Sequence, residues 1–378
     1  MGQESGQVFQ DTRALEARLR VVSGEAGKTG EALGLGRVES AKRAFTTRRV
    51  EFPPHMRLLR EGNPAAGDLL LARIEVLGQH QKLESPHGRR AQLYEGDEII
   101  VAYGNRYAPD QFEAVVPEDL GTCDLVAGGG VAGKVLSRHG KIKRATRIQP
   151  IGLIADRFGT ALNLAQFGMP HRRLRDNRPQ VIAVAGTSMN AGKTTAAAGL
   201  IHGLARAGLK VAATKVTGTG SGGDLWSMID AGAAQVLDFT DMGHASTAGL
   251  AFEQIERTAL SLIAHSSADE PDVVVVEIAD GLLQSETAAL LASPTFRQAI
   301  DGVLFAAGDA LGAVGGVERL AALGHHVVGL SGLISISPLA SREAAEALGA
   351  PVLLLEQLRD PVLAPQLCFA AGAIAAKA

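Results

Sequence analysis

From Val181 onward the chain repeats one pattern, a short continuous apolar run followed by an Ala-rich amphipathic stretch. The runs are VIAVA (Val181–Ala185), KVAATK (Lys210–Lys215), DVVVVEI (Asp272–Ile278), GVLFAA (Gly302–Ala307), HVVGL (His326–Leu330) and PVLLLE (Pro351–Glu356). Strands that are apolar on both faces belong to a mostly parallel sheet covered by helices on either side, so an α/β fold is expected here. From about 46 to 168 the texture differs. Segments such as DLLLARIEVL (Asp68–Leu77) and AQLYEGDEIIVAYG (Ala91–Gly104) are short, β-rich and separated by Gly, Pro and Asp turns. That pattern fits a smaller barrel or sandwich-like domain. Residues 1–45 are rich in charge, Gly and Ala, and read as a flexible arm with a helix over Asp11–Val21. Between the two main textures lies GMPHRRLRDNRPQ (Gly168–Gln180), with two prolines and four arginines. It reads as an exposed linker over 169–180, followed by the α/β domain at 181–378.

Composition narrows the function without naming it. The 378 residues carry a net charge of −3, with 46% hydrophobic and 20% charged positions. No overall field draws in nucleic acid, and no apolar run approaches the roughly 20 residues that cross a bilayer. MGQESGQVFQ has no basic region followed by an apolar one, so a secretory signal is not expected, and a cytoplasmic location is. Cys123 and Cys368 are too few for a disulfide framework or a thiolate metal site.

The candidate chemistry begins with the triplet Ala-Gly-Lys, which occurs three times. A phosphate cradle needs a buried strand, a loop whose N–H groups converge, and a helix starting at the lysine. Lys28 lacks the strand, and Gly30 and Gly34 would weaken any helix after it. Lys134 has the right glycine spacing in GGGVAGKV, but Val135 replaces the hydroxyl residue and a β-turn is the better reading. Lys193 has every part. VIAVA feeds the loop GTSMNAGKTT, and KTTAAAGLIHGLARAG is a helix closed by Gly208. The cradle therefore comprises Gly186, Thr187, Ser188, Met189, Asn190, Ala191, Gly192, Lys193, Thr194 and Thr195. Its spacing departs from the usual P-loop, because five residues rather than four separate Gly186 from Gly192.

GTSMNAGKT resembles the loop of dethiobiotin synthetases, in which Gly-Thr, four variable residues and Gly-Lys-Thr follow one another. AGLKVAATKVTGTGSGGD resembles that family's strand ending on a lysine with a small-residue loop leading to an aspartate, and VVVVEIADG its acidic strand end. The wider group includes cobyrinic acid amide synthases and MinD ATPases, and the resemblance covers about 181–355. It implies a P-loop NTPase domain with Lys193 on the β- and γ-phosphates and magnesium held by Thr194, Asp224 and Glu277. It also implies a catalytic Lys215 near the transferring phosphoryl group. Ser188 stands where MinD-type proteins carry an extra lysine, and IADG leaves only Gly281 of the family's glycine-rich turn. With no Asn-Lys-x-Asp motif in the chain, ATP is expected, with GTP left open.

The polar, glycine-interrupted segment Asp230–Gly249 places Asp238, Asp241, His244 and Ser246 as expected contacts to an unknown small-molecule substrate. The leading expectation is an ATP- and Mg-dependent ligase or phosphotransferase that activates a carboxylate, working as a homodimer. The alternative is a P-loop ATPase or GTPase switch whose N-terminal β region grips a partner. The loop YGNRYAPDQF (Tyr103–Phe112) is a candidate ligand or partner surface, against the simpler reading of a turn with its aromatics packed inward.

Overall fold

The structure, a computed structural model, describes residues 30–369. Lys28 and the helix expected over Asp11–Val21 lie outside the described residues.

The apolar runs form a six-stranded sheet. Its strands are β1 (Gln180–Gly186), β2 (Val211–Lys215), β3 (Gln235–Asp238), β4 (Val273–Glu277), β5 (Gly302–Ala306) and β6 (Val327–Ser331). In space they run β3-β2-β4-β1-β5-β6, every pairing parallel. Alternation of side chains across the pleat explains why the runs are apolar throughout. Val181, Ala183 and Ala185 enter one core with Leu262, Phe296 and Leu320, while Ile182 and Val184 enter another with Leu200, Leu204 and Leu358. The first core packs against α3 (Phe252–Ser266) and the second against α1 (Lys193–Arg206). The helix α2 (Gly223–Asp230) follows β2. PVLLLE does not make a seventh strand. It contributes one parallel bridge, Leu330 to Val352, and then turns into the short helix Leu355–Leu358.

Between residues 31 and 155, Lys82–Glu84 pairs with Arg90–Gln92 in a separate two-stranded hairpin, and ten other strands form one sheet. Five of its strands close on themselves: Leu69–Val76 pairs with Glu98–Tyr103, that with Val131–Arg138, then Cys123–Ala127, then Thr146–Ala155, which returns to Leu69–Val76. The enclosed core holds Leu70, Ala72, Val101, Tyr103, Leu125 and Ile148. The described part of the expected flexible arm belongs to this sheet, since Glu31–Leu33 pairs with Met56–Leu59 and Lys42–Arg43 with Ile99–Ile100.

The closed sheet sits against the C-terminal ends of the parallel strands, the end at which open α/β sheets bind ligands. Arg48 meets Asp238 at 3.0 Å and Asp241 at 2.6 Å, and Arg49 meets Asp241 at 3.3 Å. The glycines of the GGG turn allow backbone to touch backbone: a Cβ at Gly129 would lie 2.1 Å from the carbonyl oxygen of Gly220. The segment 169–180 is pinned rather than loose. Met169 N–H donates to Asp241 O at 2.8 Å, Arg172 N–H to Ser261 Oγ at 2.9 Å, and Arg178 forks onto Asp301 at 2.6 and 2.9 Å.

Candidate phosphate and metal site

The loop between β1 and α1 is built by close approach. Gly192 precedes α1 in the left-handed region, φ 95°, where only glycine is unstrained, and a Cβ there would lie 3.0 Å from Gly332 Cα. The roots of the loop are tied to neighbouring strands, with Thr187 N–H donating to Ala306 O and Leu333 N–H to Ala191 O, both at 2.9 Å. Ser188 and Asn190 are exposed at its apex. No side chain caps α1, so its first-turn N–H groups point into the loop, where the positive end of the helix dipole favours an anion. Lys193 is buried and folds back across Gly186, its Nζ donating to Ser188 O at 2.8 Å. Burial lowers its pKa, which Glu277 and Asp280 counteract. Thr195 is an exposed position on the first turn of α1.

Thr194 Oγ1 lies 3.0 Å from Asp224 Oδ1 and 2.9 Å from Glu277 Oε1. β4 delivers Glu277 at its C-terminal end, and the first turn of α2 delivers Asp224. Three oxygen-bearing side chains from three elements thus converge, as expected of a site for a hard cation. Glu277 Oε2 is buried with no hydrogen-bond partner, an orphaned acceptor that a magnesium ion or its water would satisfy. Burial, with Asp224 beside it, raises the Glu277 pKa, while Lys215 and Lys193 oppose the shift. Among the described residues, no group of three or more His, Cys, Asp or Glu could hold a metal ion, and the hydroxyl and two carboxylates of this set would leave the rest of a cation's ligands to phosphate and water.

Lys215 is not open toward a substrate. Its ammonium is ion-paired with Asp224 and lies 3.8 Å from Glu277 Oε1. Burial opposes its charge, but the two carboxylates outweigh burial and hold it above the usual lysine range. The residues expected on the substrate side are also engaged elsewhere. Asp238 and Asp241 are buried against Arg48 and Arg49, and Ser246 Oγ lies 3.3 Å from Gly218 O. His244 Nε2 is 3.1 Å from Thr258 Oγ1, and burial with His171 and Arg257 nearby depresses its pKa to about 4. Lys134 lies in the strand Val131–Arg138 with no helix behind it.

Sequence reasoning missed the partners that the N-terminal β region supplies. Glu84 accepts from Gly222 N–H at 2.9 Å and Ser221 Oγ at 3.3 Å, two residues before Asp224. Asn190 at the loop apex donates to Asp110 at 2.7 Å. Asn105 Nδ2 reaches Ala248 O at 3.2 Å. The loop Tyr103–Phe112, flagged by its aromatics, therefore meets the phosphate loop through Asp110, while Tyr103 is buried and Tyr107 43% exposed. Glu84 and Arg48 carry no local signature that separates them from solvated charges.

No family model and no curated protein matches the chain. Among solved structures it is similar to the signal recognition particle receptor FtsY from Elizabethkingia anophelis, at 17% identity and TM-score 0.31, over 50% of this chain and 55% of that one. It is also similar to the cell division protein FtsY of Thermotoga maritima, at 18% identity and TM-score 0.35, over 55% and 74%. A third is the signal recognition particle 54 kDa protein of Aeropyrum pernix in complex with GDP, at 18% identity and TM-score 0.34, over 50% and 44%. The chain thus spans about half the length of the first and third of these. The expected small-molecule ligase or phosphotransferase is corrected. The acidic groups expected to meet a substrate, Asp238 and Asp241, are paired with arginines at the junction. What stands is the coarser class: a parallel sheet with a glycine-cradled lysine at the start of a helix, the architecture of a P-loop NTPase.

Proposed function

We propose that the protein is a nucleoside triphosphate-binding and -hydrolysing switch whose closed N-terminal sheet responds to the occupancy of the phosphate loop. One observation carries the reading: the N-terminal β region touches both halves of the site, the loop apex through Asp110 in the turn before Phe112–Val115 and the Asp224 segment through Glu84 of the hairpin 82–92. A change of position at either half is transmitted to a packed neighbour, as a two-state element requires. Lys193 and the loop N–H groups would hold the phosphates. Thr194, Asp224 and Glu277 would hold magnesium, which when bound neutralises charge developing on the phosphoryl oxygens. Lys215 balances the carboxylates of that set and keeps them in register. The purine base is left to experiment, because the expected ATP rests on a missing guanine motif and GDP is bound by one of the similar proteins.

The test is amide hydrogen exchange of the full chain with and without ATP or GTP and magnesium. Nucleotide should protect residues 186–195 and, in the same experiment, change exchange in 82–92 and 103–112. Protection confined to the loop would refute the switch while leaving nucleotide binding intact, and no protection by either nucleotide would refute both.

A further inference from the structure

A cavity lies away from the phosphate loop. It has a volume of about 440 Å³ and is lined by the 172–179 segment and by the end of α3 with the turn after it, Ala264 to Pro271. Pro179 immediately precedes β1, whereas the phosphate loop follows its other end, so the two sites are separated by the length of a seven-residue strand, roughly 20 Å.

Four arginines are among the residues that line this cavity: Arg172, Arg173, Arg175 and Arg178. Arg178 is already neutralised by its fork onto Asp301. The side chains of Arg172, Arg173 and Arg175 make no ion pair or hydrogen bond among the described residues, and all three residues are exposed. Against them the lining offers one carboxylate, Glu270, and the carbonyl end of α3, a partial negative charge. The balance at the cavity is therefore positive, in a protein whose net charge is −3.

The segment carrying these arginines is held at both ends. On one side Pro170 O accepts from His265 at 2.8 Å and Arg172 N–H is tied to Ser261; on the other, Arg178 is fixed to Asp301. Leu174, between them, packs against the core, so the segment is fixed at both ends and at its middle. A solvated linker needs neither the anchors nor a cavity along it. Arginine forks match the oxygens of phosphate groups two at a time, and a volume of this size falls in the range of small-molecule sites.

We infer that this cavity binds a small anion bearing two or more phosphate groups, at a site separate from the phosphate loop. The probe is inorganic tripolyphosphate, titrated calorimetrically into the full chain, into Lys193→Ala, and into the triple variant Arg172→Gln/Arg173→Gln/Arg175→Gln. The parent should show two binding events. The triple variant should weaken one by at least about tenfold, as expected for losing several charge-assisted contacts, and Lys193→Ala should weaken the other. Glu270→Gln, which removes the opposing carboxylate, should tighten the first event about two- to fivefold, a gain that a merely structural role would not produce. Unchanged binding in the triple variant, or no remaining event in Lys193→Ala, overturns the inference. A parallel arm uses phosphatidylglycerol vesicles. Arginine-dependent flotation with the vesicles, together with no response to tripolyphosphate, would place the anion on a lipid surface and overturn the soluble-ligand site.

Discussion

Asn190, at the apex of the phosphate loop, donates its side-chain amide to Asp110, in the turn between the strands Arg106–Tyr107 and Phe112–Val115, at 2.7 Å across eighty residues of chain. The second carboxylate oxygen of Asp110 is buried without a partner. A negative group thus stands beside a loop built to receive phosphates, and two features of one contact oppose each other. The hydrogen bond orders the loop, whereas the charge repels its ligand.

Asp110→Asn separates the two, because it keeps an acceptor for Asn190 and removes only the charge. Nucleotide affinity should rise about three- to tenfold, the effect of deleting one like charge at several ångströms in a partly screened site. An equilibrium titration with ATP and GTP measures it, and an affinity equal to the parent's would show that Asp110 does not feel the phosphates.

Lys193→Ala should weaken nucleotide binding by at least tenfold, since it removes a charge-assisted contact worth about 1.5–3 kcal/mol. Lys134→Ala should stay within about a factor of two, because Lys134 is an exposed residue of a strand and holds no helix end. Equal losses in the two variants would contradict the choice of loop.

Arg48 is the main counter-charge for two buried carboxylates. Arg48→Met should destabilise the chain by about 3–5 kcal/mol in urea unfolding, because it strands Asp238 and leaves Asp241 with Arg49 alone. Adding Asp238→Asn should recover part of that loss. A change below about 1 kcal/mol in the single variant would mean that the junction is wet and weak.

The pKa of His244 is depressed to about 4, and that of His80 likewise, in both cases first by burial. The unfolded chain binds these protons below pH 6.5 and the folded chain does not until about pH 4. Their stabilising contribution is therefore complete above pH 6.5 and lost as pH falls toward 4. His244→Gln should flatten the fall in unfolding free energy between pH 6.5 and 4.5 by about 1–3 kcal/mol. Parallel curves for parent and variant would place His244 in water.

Local signals were enough for the parallel sheet and for the phosphate loop. The apolar runs are legible because helices on both faces force every residue of a strand to be apolar, and Gly192-Lys193-Thr194 is legible because a left-handed residue must precede the helix that begins at the lysine. The carboxylates Asp224 and Glu277 were expected from the family resemblance alone, and the structure places both beside Thr194. PVLLLE shows the limit of such signals, because an apolar run records burial and not strand pairing. The tertiary structure alone decided what the polar residues between elements do. Asp238 and Asp241 look the same in sequence whether they face a substrate or an arginine, and Arg48 lies 190 residues from Asp238. Glu84 and Gly222 are 138 residues apart and share no periodicity. Pairings of that span follow from how two sheets pack, and a single charged residue carries no trace of its partner in the residues beside it.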